Sequence, residues 1–140
     1  MKHPKSYEST PETRRRMANV KLKNGTAETL LAKRLWHLGF RYRKNDKRLP
    51  GSPDISILKY SIAVFVDGEF WHGKDWEQRK ERLHRNREYW IEKIEENMAR
   101  DERVNEQLRS MGWKTIHFWE KDALKKPDEC ISMILDLVNE

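Results

Sequence analysis

The sequence holds a single cysteine, Cys130. That leaves no partner for an internal disulfide and no thiolate cluster for zinc. Long apolar runs are also missing: none approaches the ~18 residues that a membrane span requires. The opening stretch MKHPKSYESTPETRRR has no apolar segment of the kind a secretory signal carries. The expectation is a cytoplasmic protein that contacts no membrane. Disorder is a poor description too, because six Trp, four Tyr and four Phe are more aromatics than a chain without a core carries. At 140 residues the chain is expected to build one domain with a real core. Internal repeats and low-complexity segments are absent.

Charge is abundant and unevenly placed. Residues 1–50 contain 14 Lys/Arg against 4 Asp/Glu, a balance of +10, and with 29 and 23 in the whole chain, residues 51–140 contain 15 against 19, a balance of −4. A basic front half suits a polyanion, since Lys and Arg displace the counterions condensed on phosphates. A solvated basic face would have the same composition.

Residues 1–24 lack periodicity and read as a basic N-terminal arm, with residues 25–140 as a single domain. In NGTAETLLAKRLWHLGF, Thr26 as N-cap, Leu31, Leu35 and Leu38 on one face and Gly39 just past the end predict a helix. RYRKNDKRLPGSPD is a basic connection with a strand expected at Phe40–Arg43. DISIL and SIAVFV predict two strands joined by a tight turn at Lys59–Ser61. From Trp76 to Met111 the pattern is helical, with Trp90, Ile94 and Met98 four apart, and its length calls for a break or for two helices. Gly112 stops it, WKTIHFW predicts a strand and PDECISMILDLV a closing amphipathic helix. A crossover of this length makes the last strand parallel to its partner. The fold class is α/β, a small mixed sheet flanked by helices. Trp36, Trp113 and Trp119 are expected in the core, and His37, His84 and His117 as ordinary surface or strand histidines.

Two acids stand out. Asp54 opens one predicted strand and Asp67 ends the next, so a hairpin sets their ends side by side. Paired carboxylates repel unless a cation lies between them, and an oxygen-rich site of this kind suits Mg²⁺. Glu69 shares a face with Asp67 by the period of two. The pair resembles the PD-(D/E)XK nuclease pattern, Pro53-Asp54 as its first half and Asp67-Gly68-Glu69 as its second, with Glu69 where that pattern has Lys. Taken singly, Asp54 also reads as a strand-start residue and Glu69 as an exposed loop acid.

Longer stretches sharpen the resemblance. The segments GTAETLLAKRLWHLGFRYRKNDKRLPGSPDISI, AVFVDGEFWHG, REYWIEKIEENMARDERVNEQLRSMGW and HFWEKDAL resemble the very-short-patch repair endonucleases in order and spacing, from Thr10 to Leu124. The motifs are LPGxPD before a strand, GxFWHG after the next, and YWxxKIxxNxxRD on a helix. The resemblance implies a restriction-endonuclease-like fold and a metal-dependent endonuclease that nicks one strand of double-stranded DNA beside a T:G mismatch; Mg²⁺ is the metal expected, and a monomer the expected state. It implies Asp54 as the metal-binding catalytic aspartate and His72 as a general acid or base. It also implies that Glu28 orients the site and that Val66 offers its backbone carbonyl to the metal. Phe70, Trp71 and Trp90 match aromatics that wedge between base pairs, while Arg14, Arg15, Arg16, Lys21 and Lys23 of the arm are expected on the DNA backbone.

The chain departs from that family in two places. Asp67 stands where a histidine is usual, which adds a direct carboxylate ligand. The structural zinc is not expected, because its ligand positions carry Glu69, Lys74, Trp76 and Lys121. Glu69 therefore has two candidate roles, a metal ligand or an ion pair with Lys74 and Lys121 in place of zinc. Asp75 reads as a helix-start residue. A site-specific restriction or homing-type nuclease of the same fold, a non-catalytic DNA-binding module and an RNA-processing nuclease remain as alternatives.

Overall fold

The computed structural model describes residues 26–140. The basic arm, with Arg14, Arg15, Arg16, Lys21 and Lys23, lies outside the described residues. Helix α1 covers residues 26–37, so Thr26 is helical rather than the residue before the helix. Its apolar stripe of Ala27, Leu31 and Leu35 is fully buried. Leu38 falls in the turn beyond the last helical residue and is 55% exposed. Gly39, at φ 96°, takes the left-handed conformation that ends the helix.

The sheet has four strands in spatial order β1-β2-β3-β4. Strand β1 is only Arg43–Lys44, shorter and later than the Phe40–Arg43 expected, because Phe40 and Tyr42 pack onto the core instead. Strand β2 (Ile55–Ile57) pairs antiparallel with both β1 and β3 (Ile62–Asp67). The turn between β2 and β3 is one 3₁₀ segment, Leu58–Tyr60, closed by Ser61 at φ 53°. Helices α2 (Trp76–Arg82) and α3 (Arg87–Ser110) occupy the crossover, and β4 (Lys114–Trp119) returns parallel to β3. Two helices rather than one fill the long periodic stretch. Helix α4 (Glu120–Lys125), a segment to which the sequence reading assigned no element, precedes α5 (Pro127–Val138).

Alternation along β3 builds the layers. Ile62 and Val64 join Leu31, Leu35, Ile55 and Ile134 in one core cluster, so α1 and α5 cover that face. Ala63 and Phe65 point the other way and meet Leu108 and Val104 of α3. Each fully buried Ile or Leu here contributes ~1.5–3 kcal/mol of transfer free energy. Asp67, next in the alternation after Phe65, is therefore delivered to the α3 face at the end of the strand. Trp36 is not a core residue: it is 50% exposed, with the Arg41 guanidinium 3.5 Å above its ring. Trp113 packs against the α3-side cluster. Among the described residues, no helix is long and apolar enough to cross a membrane.

Candidate active site

A cleft of about 850 Å³ opens where the ends of β2 and β3 face α3, and Glu28, Asp54, Asp67, Trp71, His72 and Asp101 are among its walls. Three carboxylates form its floor. Asp54, just before β2, accepts the backbone N–H of Val66 at 2.7 Å through Oδ2. In an extended strand the N–H and C=O of one residue point to the same edge, so the Val66 carbonyl is directed to the side on which Asp54 lies. Glu28, on the first turn of α1, reaches Asp54. Burial, the neighbouring Asp54 charge and a hydrogen bond to Asp54 push the Glu28 carboxyl up to about 7. Burial also raises Asp54, against the Val66 N–H and Glu28 bonds that favour its ionised form. Burial and the shared hydrogen bond thus favour the protonated form of Glu28 in this pair. Its Oε2 is buried with no hydrogen-bond partner among the described residues. A floor of crowded carboxylate oxygens, one of them orphaned, fits a hard divalent cation such as Mg²⁺.

His72 forms the opposite wall. The segment 68–75 after β3 is a series of turns, and Gly73 within it sits at φ 73°. A Cβ at Gly73 would collide with the Met98 side chain on α3, so glycine is what lets the turn lie this close to the helix. Helix α3 then holds the segment at two points one turn apart. Asn97 Nδ2 donates to the Trp71 carbonyl at 3.1 Å, and Asp101 Oδ2 lies 2.7 Å from His72 Nδ1. His72 Nε2 is left facing Asp67 Oδ1 at 4.0 Å. Burial works against the imidazolium, but the Asp101 hydrogen bond and the charges of Asp67 and Asp101 outweigh it, so the His72 pKa is raised above 6.5. Ligand atoms of Asp67, His72 and Asp101 lie within 4.8 Å of one another. The short His72–Asp101 contact satisfies those two groups mutually, the arrangement of an oriented base rather than of two vacant ligands.

Beside His72 the aromatics cluster at the rim. Phe70, Trp71 and Trp90 meet edge-to-face, with centroids 5.3, 5.6 and 5.5 Å apart, and Tyr89 lies 5.1 Å from Trp90. Phe70 is 38% exposed. Ile94, next on the Trp90 stripe, is fully buried, so α3 anchors in the core while presenting Trp90 at the rim.

Glu69 lines the same cleft as the acids. Its Oε2 accepts the backbone N–H of Lys121 at 3.0 Å, satisfying one of the unpaired donors in the first turn of α4. Among the described residues no ion pair joins Glu69 to Lys74 or Lys121. Lys74 Nζ lies 5.9 Å over the Trp119 ring, and the indole of Trp76 is buried and donates to Glu95 at 3.0 Å. The positions expected to replace zinc do tie this segment to α3, β4 and α4, by a backbone hydrogen bond, a cation–π contact and a packed indole. Asp75 precedes α2 at φ 54° without a side-chain cap bond.

Thus the structure brings together Glu28, Asp54, Asp67 and His72 around one cleft, sets Phe70, Trp71 and Trp90 at its edge, and turns Glu69 to α4. Two members of the site went unassigned in the sequence reading. Asp101 closes the YWxxKIxxNxxRD motif, four residues after Asn97 and so on the same helix face. His117, expected to be an ordinary strand histidine, lines the cleft with Nδ1 2.7 Å from Asp67 Oδ2. The alternation of β4, which sets His117 opposite Ile116 and Phe118, carried that signal.

Comparison with known proteins agrees with this geometry. Residues 7–78 match the family described as DNA mismatch endonuclease Vsr. The chain is 54% identical over 122 residues to the type II nicking enzyme V.HpaIIP of Haemophilus parainfluenzae, covering 86% of each protein. It is 48% identical over 132 residues to the type II nicking enzyme V.NmeDIP of Neisseria meningitidis serogroup C, covering 94% of this chain and 89% of the relative. The DNA mismatch endonuclease Vsr of Escherichia coli K12 is 34% identical over 118 residues, 79% of this chain and 75% of the relative. With a restriction-endonuclease-like sheet and a cleft of acids and histidine at its open end, the chain belongs to the DNA mismatch endonuclease Vsr family of DNA-cleaving hydrolases.

Proposed function

We propose that this endonuclease acts as a monomer on double-stranded DNA, nicking one strand at or beside a T:G mismatch with the help of Mg²⁺. The observation that carries the reading is the continuity of one short segment. Phe70 and Trp71 at the rim lead directly into His72 in the cleft, so opening the duplex and cutting it are mechanically linked. Wedged apolar side chains unstack a base step for a few kcal/mol, and least where pairing is already faulty. The names of the family and of the Escherichia coli relative support the mismatch. The monomer reading rests on every catalytic group coming from one chain.

Asp54 and Asp67, with the Val66 carbonyl, are the groups that would hold Mg²⁺, and Glu28 would support them from behind Asp54. When bound, the ion supplies positive charge to the phosphate oxygens and acidifies water. His72, its Nδ1 engaged by Asp101, presents Nε2 to take a proton from the attacking water. Oxygen adds to phosphorus, the bond to the 3′-oxygen breaks, and that oxygen leaves with a proton from solvent. The products are a 5′-phosphate and a 3′-hydroxyl.

The test is incubation with Mg²⁺ and two end-labelled duplexes, one fully paired and one with a single T:G mismatch, beside an Asp54→Ala control. A nick in the mismatched duplex alone, lost by about 10³-fold or more in Asp54→Ala while DNA binding persists, is expected. Equal cutting of both duplexes would instead favour a site-specific nuclease. Binding without cutting would leave only a DNA-binding module.

A further inference from the structure

On the sheet side of the cleft, a second histidine reaches the acids. The ring of His117 lies flat against Phe65, its partner in the β3–β4 ladder, with centroids 4.6 Å apart and planes 8° from parallel. Nδ1 is 2.7 Å from Asp67 Oδ2, and Nε2 is 2.7 Å from the carboxamide oxygen of Asn105 on α3. An ionised carboxylate only accepts, so Nδ1 carries its proton as long as this contact holds. Asn105 is compatible with either state of the other nitrogen: its amide accepts from Nε2–H or, turned over, donates to a bare Nε2. The ring is therefore held on both edges and one face. With Oδ2 of Asp67 engaged, Oδ1 is the oxygen left for the cleft, and it is the one 4.0 Å from His72 Nε2.

We propose that His117, held by Asn105 and Phe65, is a positioning residue for DNA cleavage: it fixes the carboxylate plane of Asp67 and reserves Oδ1 for the reacting side of the cleft. A carboxylate at the end of a strand otherwise turns readily about its broad terminal torsion. The proposal rests on the reading of Asp67 as an active-site carboxylate. His117 acts through Asp67, in the way that outer partners orient ligating groups elsewhere.

Three variants test it. His117→Phe keeps the stack and removes both nitrogens, His117→Asn restores an amide nitrogen near the place of Nδ1, and Asp67→Asn tests the underlying reading. The measurements are single-turnover nicking at saturating DNA, KM for DNA, and Mg²⁺ binding to the DNA-free protein by titration calorimetry. Thermal unfolding confirms that each variant folds. His117→Phe is expected to slow nicking about 10- to 100-fold, to weaken Mg²⁺ binding and to leave KM unchanged. His117→Asn should recover most of both losses, a rescue that general damage to packing would not show. Wild-type nicking by His117→Phe, with Asp67→Asn impaired, overturns the positioning role alone. Wild-type nicking by Asp67→Asn overturns the reading beneath it. Should His117→Phe lack a cooperative transition, Asn105→Leu takes its place, and unchanged nicking there overturns the proposal.

Discussion

Asp54 and Val66 meet across the β2–β3 hairpin: the aspartate Oδ2 accepts the valine N–H at 2.7 Å. A backbone donor holds one oxygen of the Asp54 carboxylate, so that part of its orientation is inherited from the sheet. The same pairing register, Ile55 opposite Val64, sets Asp54 close to the end of β3 where Asp67 stands. The acids of the cleft are thus positioned by strand geometry.

The His72–Asp101 pair predicts a pH profile. The base role proposed for His72 requires an unprotonated Nε2, and its pKa lies above 6.5 because Asp101 and Asp67 outweigh burial. The value of kcat/KM should therefore rise with pH through an inflection above 6.5. Asp101→Asn removes the hydrogen-bonded charge and should move the inflection down, with slower cleavage. His72→Ala should lose about 10²- to 10⁴-fold. A pH series on a single-turnover assay reads all three, and an unmoved inflection in Asp101→Asn would argue against the pairing.

Glu28 predicts a stability that falls as pH rises. Its carboxyl goes from 4.5 to about 7 on folding, so between those values the folded state binds more protons than the unfolded one, and stability is lost as pH rises through the window. Glu28→Gln should flatten this dependence. It should also raise the unfolding midpoint at neutral pH by about 2–4 °C, the effect of a solvent-discounted ~1 kcal/mol in a domain of this size. In the wild-type protein, Mg²⁺ should stabilise more at pH 8 than at pH 5, since a cation on Asp54 offsets the repulsion that appears when Glu28 beside it ionises. Thermal scans with and without Mg²⁺ decide it.

The aromatic rim predicts a loss of DNA binding rather than of chemistry. Trp71→Ala should weaken binding to a mismatched duplex by ~1–3 kcal/mol, the usual value of a base–aromatic contact. Phe70→Ala and Trp90→Ala should weaken it as well, because the three rings support one another in a single cluster. Discrimination between mismatched and paired duplexes should narrow in parallel, as read by competition binding. Unfolding midpoints should change little for Phe70, which is already 38% exposed.

Glu69→Ala separates the two roles open to that residue. The hydrogen bond to the Lys121 N–H makes it an anchor for α4, so the substitution should cost about 1 kcal/mol of stability and leave Mg²⁺ binding intact. A large loss of Mg²⁺ affinity with unchanged stability would show a ligand instead. Denaturant unfolding and calorimetry on the same variant give both numbers.

The sequence by itself determined the alternation of layers, the hairpin, the parallel return of β4 and the placement of Asp54 and Asp67 at adjacent strand ends. These follow from periods of two and 3.6 and from turn residues, which are local properties. The motifs around His72 and Trp90 likewise marked the cleft before any contact was known. Only tertiary structure decided which partners those groups have. Asp101 became the hydrogen-bond partner of His72 because the turn through Gly73 packs closely against Met98 on the same helix. His117 became a member of the site because parallel pairing sets it beside Phe65, within reach of Asp67. Glu69 turned to α4 and Trp36 to the surface for the same reason. A side chain's neighbours across the fold depend on how distant elements dock, and periodicity along one element carries no record of that.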